Sequence, residues 1–138
     1  MSGPLASVRI AGAGIDVTPV NRVARLIADH AGTLSRIFTR SERAHADRAR
    51  GRRREARYAQ CFASKEAVMK ALGTGWRSDV AFPEIDTQAR DACGAIQLTG
   101  GALAEARRRG IARVFVSAAA TRAEAIASAV AEGPADAL

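Results

Sequence analysis

The stretch Phe62-Ala-Ser-Lys65-Glu66-Ala-Val-Met-Lys70-Ala-Leu-Gly73 carries both lysines of a chain with 21 basic residues, so the other 19 are arginine. Lysine is a compact charge whose pKa moves readily on desolvation, so it can neutralise phosphate or carry a proton where arginine does so poorly. Around this stretch Tyr58, Cys61, Phe62, Val68, Met69 and Leu72 recur at helical spacing and predict a long helix over residues 54–72. Gly73-Thr-Gly75 closes it, glycine being the usual residue past a helix C-terminus. Glu66 and Lys70 stand i,i+4 and share a face of that helix. A carboxylate beside an ammonium suits a metal-and-phosphate site. The same spacing suits an exposed helix-stabilising pair, and spacing alone leaves both open.

Towards the N-terminus, Ser7-Val-Arg-Ile10 predicts a short strand, followed by Gly12-Ala-Gly14 and Ile15-Asp16-Val17. The glycines allow close approach of backbone or ligand. Thr18-Pro19 offers a capping hydroxyl and a proline at the first helical position, and Val20, Val23, Leu26 and Ile27 continue a first helix to about His30. Arg22 and Arg25 lie on its exposed side. Thr39-Arg-Ser-Glu42 has capping-box spacing and opens a second, basic helix that the Gly51 region ends. Beyond Gly75, Ile85-Asp-Thr-Gln88 and Ala95-Ile-Gln-Leu98 read as strands joined by a polar turn. Residues 101–110 read as a helix with Leu103 inside, and residues 112–117 as a strand. Residues 126–131 suit either a strand or a helix, because alanine is a helix former. The tail from Gly133 is expected to fray. The order β-α-α-α-β-β-α-β-β predicts an α+β domain with a mainly antiparallel sheet packed against a long central helix.

The chain of 138 residues is expected to form one domain, with 48% hydrophobic and 25% charged residues, ordinary for a globular protein. Only 4% is aromatic, so aliphatic residues must build the core. No stretch approaches a membrane span and the N-terminus does not read as a signal peptide. Cys61 and Cys93 lie far apart without metal spacing and suit a reducing, cytoplasmic compartment. The net charge of +7 calls for an acidic partner, a polyphosphate ligand or nucleic acid. The densest run, Arg48-Ala-Arg50-Gly-Arg52-Arg53-Arg54, lacks the interleaved aromatics that stack bases, and a nucleic-acid-binding module leaves the two lysines unexplained. No P-loop is present, and the two histidines, His30 and His45, sit in polar helical surroundings.

Taken together, Gly12-x-Gly14-Ile-Asp16 with Arg22 six residues on, and Phe62-Ala-x-Lys65-Glu66-Ala-x-x-Lys70-Ala-Leu-Gly-Thr-Gly75, resemble the holo-acyl-carrier-protein synthases. These are small single-domain 4′-phosphopantetheinyl transferases, and the resemblance covers residues 8–132. It implies an enzyme that moves the 4′-phosphopantetheine arm of coenzyme A to a serine of an apo acyl carrier protein, releasing 3′,5′-ADP. It implies Mg²⁺ held by Asp16 and Glu66, with Lys70 contacting phosphate or accepting the serine proton. Lys65, Gly73 and Ser117 would lie beside the coenzyme A, and Arg22 and Arg25 would dock the acidic carrier protein. The expected setting is a cytoplasmic homotrimer serving fatty acid or polyketide biosynthesis, acting on neither membrane nor nucleic acid. The family's Ser-x-Ser-His signature is here Ser117-Ala-Ala-Ala120, and its Gly-x-Pro turn is Gly94-Ala-Ile96. Those departures keep a second reading in play, a relative that binds coenzyme A or a carrier protein without transfer.

Overall fold

The computed structural model describes residues 7–30, 32–75 and 79–136. Its elements are β1 (Val8–Pro19), α1 (Val20–Asp29), α2 (Thr33–Ile37), α3 (Arg40–Asp47), α4 (Gly51–Leu72), a 3₁₀ turn (Phe82–Glu84), β2 (Ile85–Arg90), β3 (Ile96–Leu98), α5 (Gly100–Arg108), β4 (Arg113–Ala120) and β5 (Glu124–Pro134). One sheet has the order β1-β5-β4 and is antiparallel throughout; β2 and β3 form a separate antiparallel hairpin. The α+β expectation holds.

α4 lies between two layers. Its alanine side, with Ala59, Ala63, Ala67 and Ala71 buried, rests on the three-stranded sheet; its other side meets α1, α3 and β2. From Tyr58 to Leu72 every residue is buried except Gln60, Glu66 and Lys70. A helix apolar on nearly all sides is a core helix, and the few polar positions left open on it are candidates for chemistry. Small side chains on both partners bring helix and sheet close. A Cβ at Gly12 would overlap the carbonyl oxygen of Ala71, and one at Gly14 the carbonyl oxygen of Ala67. The glycine pair therefore serves helix–strand contact.

β5 settles the ambiguity of the alanine run. Ala125, Ala127, Ala129 and Ala131 are buried on alternate positions, while Ile126, Ser128 and Val130 face outward. Period two wins over alanine's helix propensity because a strand there can pair on both edges, with β1 and with β4. The same pairing orders Gly133 and Pro134 against Arg9 and Val8, so the expected fraying does not begin there; Ala137 and Leu138 lie outside the described residues.

Several boundaries differ from expectation. The N-terminal strands are one strand of 12 residues with an irregularity between Ile10 and Gly12. The N-cap of α1 is Pro19 and not Thr18; the first helical amide, that of Val20, donates to the carbonyl of Ala123 across the sheet at 2.9 Å. α3 stops at Asp47 and α4 begins at Gly51, three residues before its predicted start. α2 has no sequence prediction to match. In α5 the buried residues are Ala102, Glu105 and Ala106, with Leu103 only half-buried. The capping box of Thr39 and Glu42 and the left-handed Gly73, φ 76°, are as expected.

Candidate active site

Asp16 reaches the site because β1 alternates. Ile15 and Val17 face away from α4, whereas Asp16 and Thr18 face it and are buried. The Thr18 hydroxyl donates to Asp16 Oδ2 at 2.6 Å, and Lys70 Nζ donates to Asp16 Oδ1 at 3.2 Å and to the Ile15 carbonyl at 2.8 Å. Lys70 thus bridges α4 to β1 while its side chain remains 52% exposed, open to a ligand. Sequence alternation could have revealed Thr18 as a partner of Asp16, since i and i+2 of a strand share a face.

Glu66 stands one turn before Lys70 on the same flank. Its Oε1 is buried and accepts no hydrogen bond. Burial, and next the neighbouring Asp16 carboxylate, push the Glu66 carboxyl up to about 7, with Arg22 and Lys70 pulling the other way. Two carboxylates side by side, one with an unpaired buried oxygen, are a costly arrangement without a cation between them. Among the described residues no group of three or more His, Cys, Asp or Glu is placed to hold a metal ion. A two-carboxylate set fits Mg²⁺, which keeps several waters and draws further ligands from substrate phosphates. The donors therefore suit that ion, and Asp16 and Glu66 are the residues that would hold it.

Arg22, exposed on α1, is close enough to act on Glu66. With Arg25, Leu26, Phe62 and Phe82 it lines a groove of 410 Å³. A larger cavity of 710 Å³ lies by the N-terminal half of α4, lined by Arg52, Arg53, Arg57, Gln60, Ala120 and Arg122. The arginine run thus becomes half of a basic basin that the end of β4 and the β4–β5 turn complete.

A sequence profile described as the 4′-phosphopantetheinyl transferase superfamily matches residues 12–126. The chain belongs to that superfamily. The holo-[acyl-carrier-protein] synthase of Desulforudis audaxviator is 39% identical over 131 residues, 92% of this chain and 96% of that one. The solved holo-[acyl-carrier-protein] synthase of Neisseria meningitidis superposes with a TM-score of 0.72 at 32% identity, covering 89% of this chain and 98% of that one. The Bacillus anthracis synthase, solved in complex with CoA (3′,5′-ADP), gives a TM-score of 0.70 at 29% identity over 90% of this chain and 97% of that one.

In this transferase fold Asp16, Glu66 and Lys70 converge, with Arg22 beside them. The other residues named from sequence do not join them. Lys65 is fully buried: its ammonium pairs with Glu42 at 2.7 Å and donates to the carbonyls of Phe82 at 2.8 Å and Ile85 at 2.5 Å. Its three N–H groups are used up, so the expected contact with coenzyme A phosphates is corrected to a core role. Burial lowers its pKa and Glu42 opposes that shift. Ser117 lies on the outward face of β4, away from α4. Gly73 ends α4 with its Cα against the Arg109 guanidinium. His30 is exposed on the rim of the Arg22 groove. His45 is half-buried, its pKa lowered by burial and then by Arg57 and Arg48.

Proposed function

We propose that this protein transfers 4′-phosphopantetheine from coenzyme A to a serine hydroxyl of an apo acyl carrier protein, in a Mg²⁺-dependent reaction that releases 3′,5′-ADP. The observation that carries this is the paired Asp16 and Glu66 carboxylates with the buried, unpaired Glu66 Oε1 and Lys70 above them. Mg²⁺ bound there supplies the positive charge that a diphosphate needs as its bridging bond breaks. The serine oxygen gives up its proton to water and forms the new O–P bond, and 3′,5′-ADP leaves with the electron pair of the old one. Lys70, exposed and held by Asp16 and Ile15, presents its remaining N–H to the same phosphates. We assign it charge neutralisation, its ammonium being paired with Asp16 and free on its open side to face the same phosphates.

With Lys65 in the core, the basin of Arg52, Arg53, Arg57 and Arg122 is the receptor for further phosphate on coenzyme A. It surrounds Ala120, where the family signature carries histidine, so arginine charge stands in for imidazole at that place. This favours the active enzyme over the binding-only reading that the alanines alone suggest. Arg22 and Arg25, over the apolar floor of Leu26, Phe62 and Phe82, fit the acidic amphipathic helix of a carrier protein.

Basin and carboxylate pair are carried by different stretches of α4, residues 52–60 and 66–70, which supports a site completed between copies of the chain. Val8, Ile10, Ile15, Val17, Ile126 and Val130 form an exposed apolar face on the outer side of β1 and β5. A second copy of the chain, in a homotrimer, is the occupant we assign to it. Cys61 and Cys93 are both free thiols, in keeping with a cytoplasmic enzyme, and no helix among the described residues is long and apolar enough to cross a membrane. Incubation with Mg²⁺, coenzyme A and a panel of apo carrier proteins should add the phosphopantetheine mass to at least one. Coenzyme A binding without any mass gain across the panel would replace this reading with the binding-only one.

A further inference from the structure

A fully hydrogen-bonded, buried ion pair lies behind the proposed site. Lys65 makes three hydrogen bonds, to Glu42 Oε1 and to the carbonyls of Phe82 and Ile85, so every N–H is matched. Glu42 is equally saturated. Oε1 also accepts from the Thr39 amide at 2.8 Å, and Oε2 accepts from the Thr87 amide at 3.1 Å and the Thr87 hydroxyl at 2.6 Å. Both side chains are 0% exposed. One node therefore ties the first turn of α3, the middle of α4, the 3₁₀ turn and the start of β2.

A buried ion pair is a poor stabiliser, since desolvation offsets most of its attraction and apolar replacement is often neutral or better. Its distinctive property is geometric. Sliding or rotating α4 breaks several directional bonds at once, whereas an apolar contact slides at little cost. The node sits at the residue before Glu66, about 100° round the helix from it. On the sheet side, Gly12 and Gly14 fix the height of β1 against α4. With the Lys70 bonds to β1, these two clamps fix where the Glu66 carboxylate falls relative to Asp16.

We propose that the Lys65–Glu42 pair is a positioning device that holds Glu66 in register with Asp16, so that the two carboxylates form one cation site. The inference rests on the metal reading of those carboxylates. Lys65 and Glu42 touch neither substrate nor ion; they act through the turn of α4 that joins Lys65 to Glu66. Partners that orient a ligand from behind typically change metal affinity by about 10- to 100-fold when removed.

The test is Mn²⁺ binding, followed by electron paramagnetic resonance in the presence of coenzyme A, well below the melting temperature of each protein. The variant is Lys65→Met/Glu42→Gln, which removes both charges together and keeps one amide oxygen, enough for either the Thr39 amide or the Thr87 donors. Mn²⁺ affinity should fall by about tenfold or more, with kcat lowered at saturating coenzyme A. Val114→Ala, which opens a cavity under β4 remote from the node, serves as a control matched for destabilisation and should leave Mn²⁺ affinity unchanged. Should the double variant not fold, Thr87→Val removes one hydrogen bond to Glu42 without touching α4, and a smaller loss of Mn²⁺ affinity is expected. Wild-type affinity in the folded double variant, or in Thr87→Val when only that protein folds, overturns the inference, as does an equal loss in Val114→Ala. A wild-type protein that binds no Mn²⁺ with coenzyme A overturns the metal reading itself.

Discussion

Glu66→Gln should abolish transfer and at the same time make the metal-free protein more stable above neutral pH. Glu66 rises from an ordinary 4.5 to about 7 in the folded chain, chiefly through burial and then through Asp16. Below pH 4.5 the carboxyl is protonated in both folded and unfolded chains and contributes nothing. Between 4.5 and 7 the folded state binds more protons, so stability falls as pH rises, and above 7 the full penalty applies. A shift of that size corresponds to about 3 kcal/mol for a group shielded from water, and solvent on the open part of Glu66 reduces it to roughly 1–2 kcal/mol. The uncharged glutamine, whose amide can donate to Asp16, escapes that penalty. For a domain of this length the gain is about 3–8 °C in melting temperature at pH 8, and it should vanish near pH 4.5. Mg²⁺ with coenzyme A should raise the melting temperature of the wild type at pH 8 and barely move the variant. Thermal melts across pH 4.5–8 at one fixed protein concentration measure all of this. A metal-free Glu66→Gln protein that melts at or below the wild-type temperature at pH 8 would refute the argument that Asp16 and Glu66 crowd one another.

Gly14→Ala places a methyl against the Ala67 carbonyl and should lower stability by about 1–3 kcal/mol through overpacking, read as a drop in the denaturant midpoint. Arg22→Glu should raise KM for the carrier protein and flatten its salt dependence while leaving coenzyme A affinity nearly unchanged; equal effects on both would contradict a docking role. Arg57→Ala with Arg122→Ala should weaken coenzyme A binding in calorimetry, and Ala120→His should change turnover by less than about tenfold, because a missing acid–base group would be worth roughly 10²- to 10⁴-fold. Val17→Asp puts a charge on the outer sheet face, where a lone chain tolerates it, and should shift the mass in light scattering from trimer to monomer.

The central helix was legible because its apolar residues recur on most of its circumference and Gly73 ends it. The capping box at Thr39 was legible because its spacing is a local signal. The last strand was not, since five alanines within residues 123–131 favour helix on propensity, and only pairing on both edges makes period two decisive. At the site, Asp16, Glu66 and Lys70 could be named because Gly12-Ala-Gly14 and the lysine-bearing stretch are motifs. Lys65 was misplaced for a physical reason. A motif marks a residue as required but does not distinguish a contact with substrate from a contact within the core, and the counter-ion that decides it, Glu42, lies 23 positions away and was read only as a helix cap. The basin is not legible in the sequence because Arg122, in the turn after β4, joins Arg52, Arg53 and Arg57 only through tertiary packing.

A divalent ion shared by one carboxylate of β1 and one of α4 is central to the proposed reaction. A crystal of the protein grown with Mn²⁺ and coenzyme A, measured at the manganese absorption edge, tests this directly. The expected result is an anomalous peak bonded to both Asp16 and Glu66 and to the diphosphate. A peak elsewhere, or diphosphate bound with those two side chains free of it, would contradict the claim.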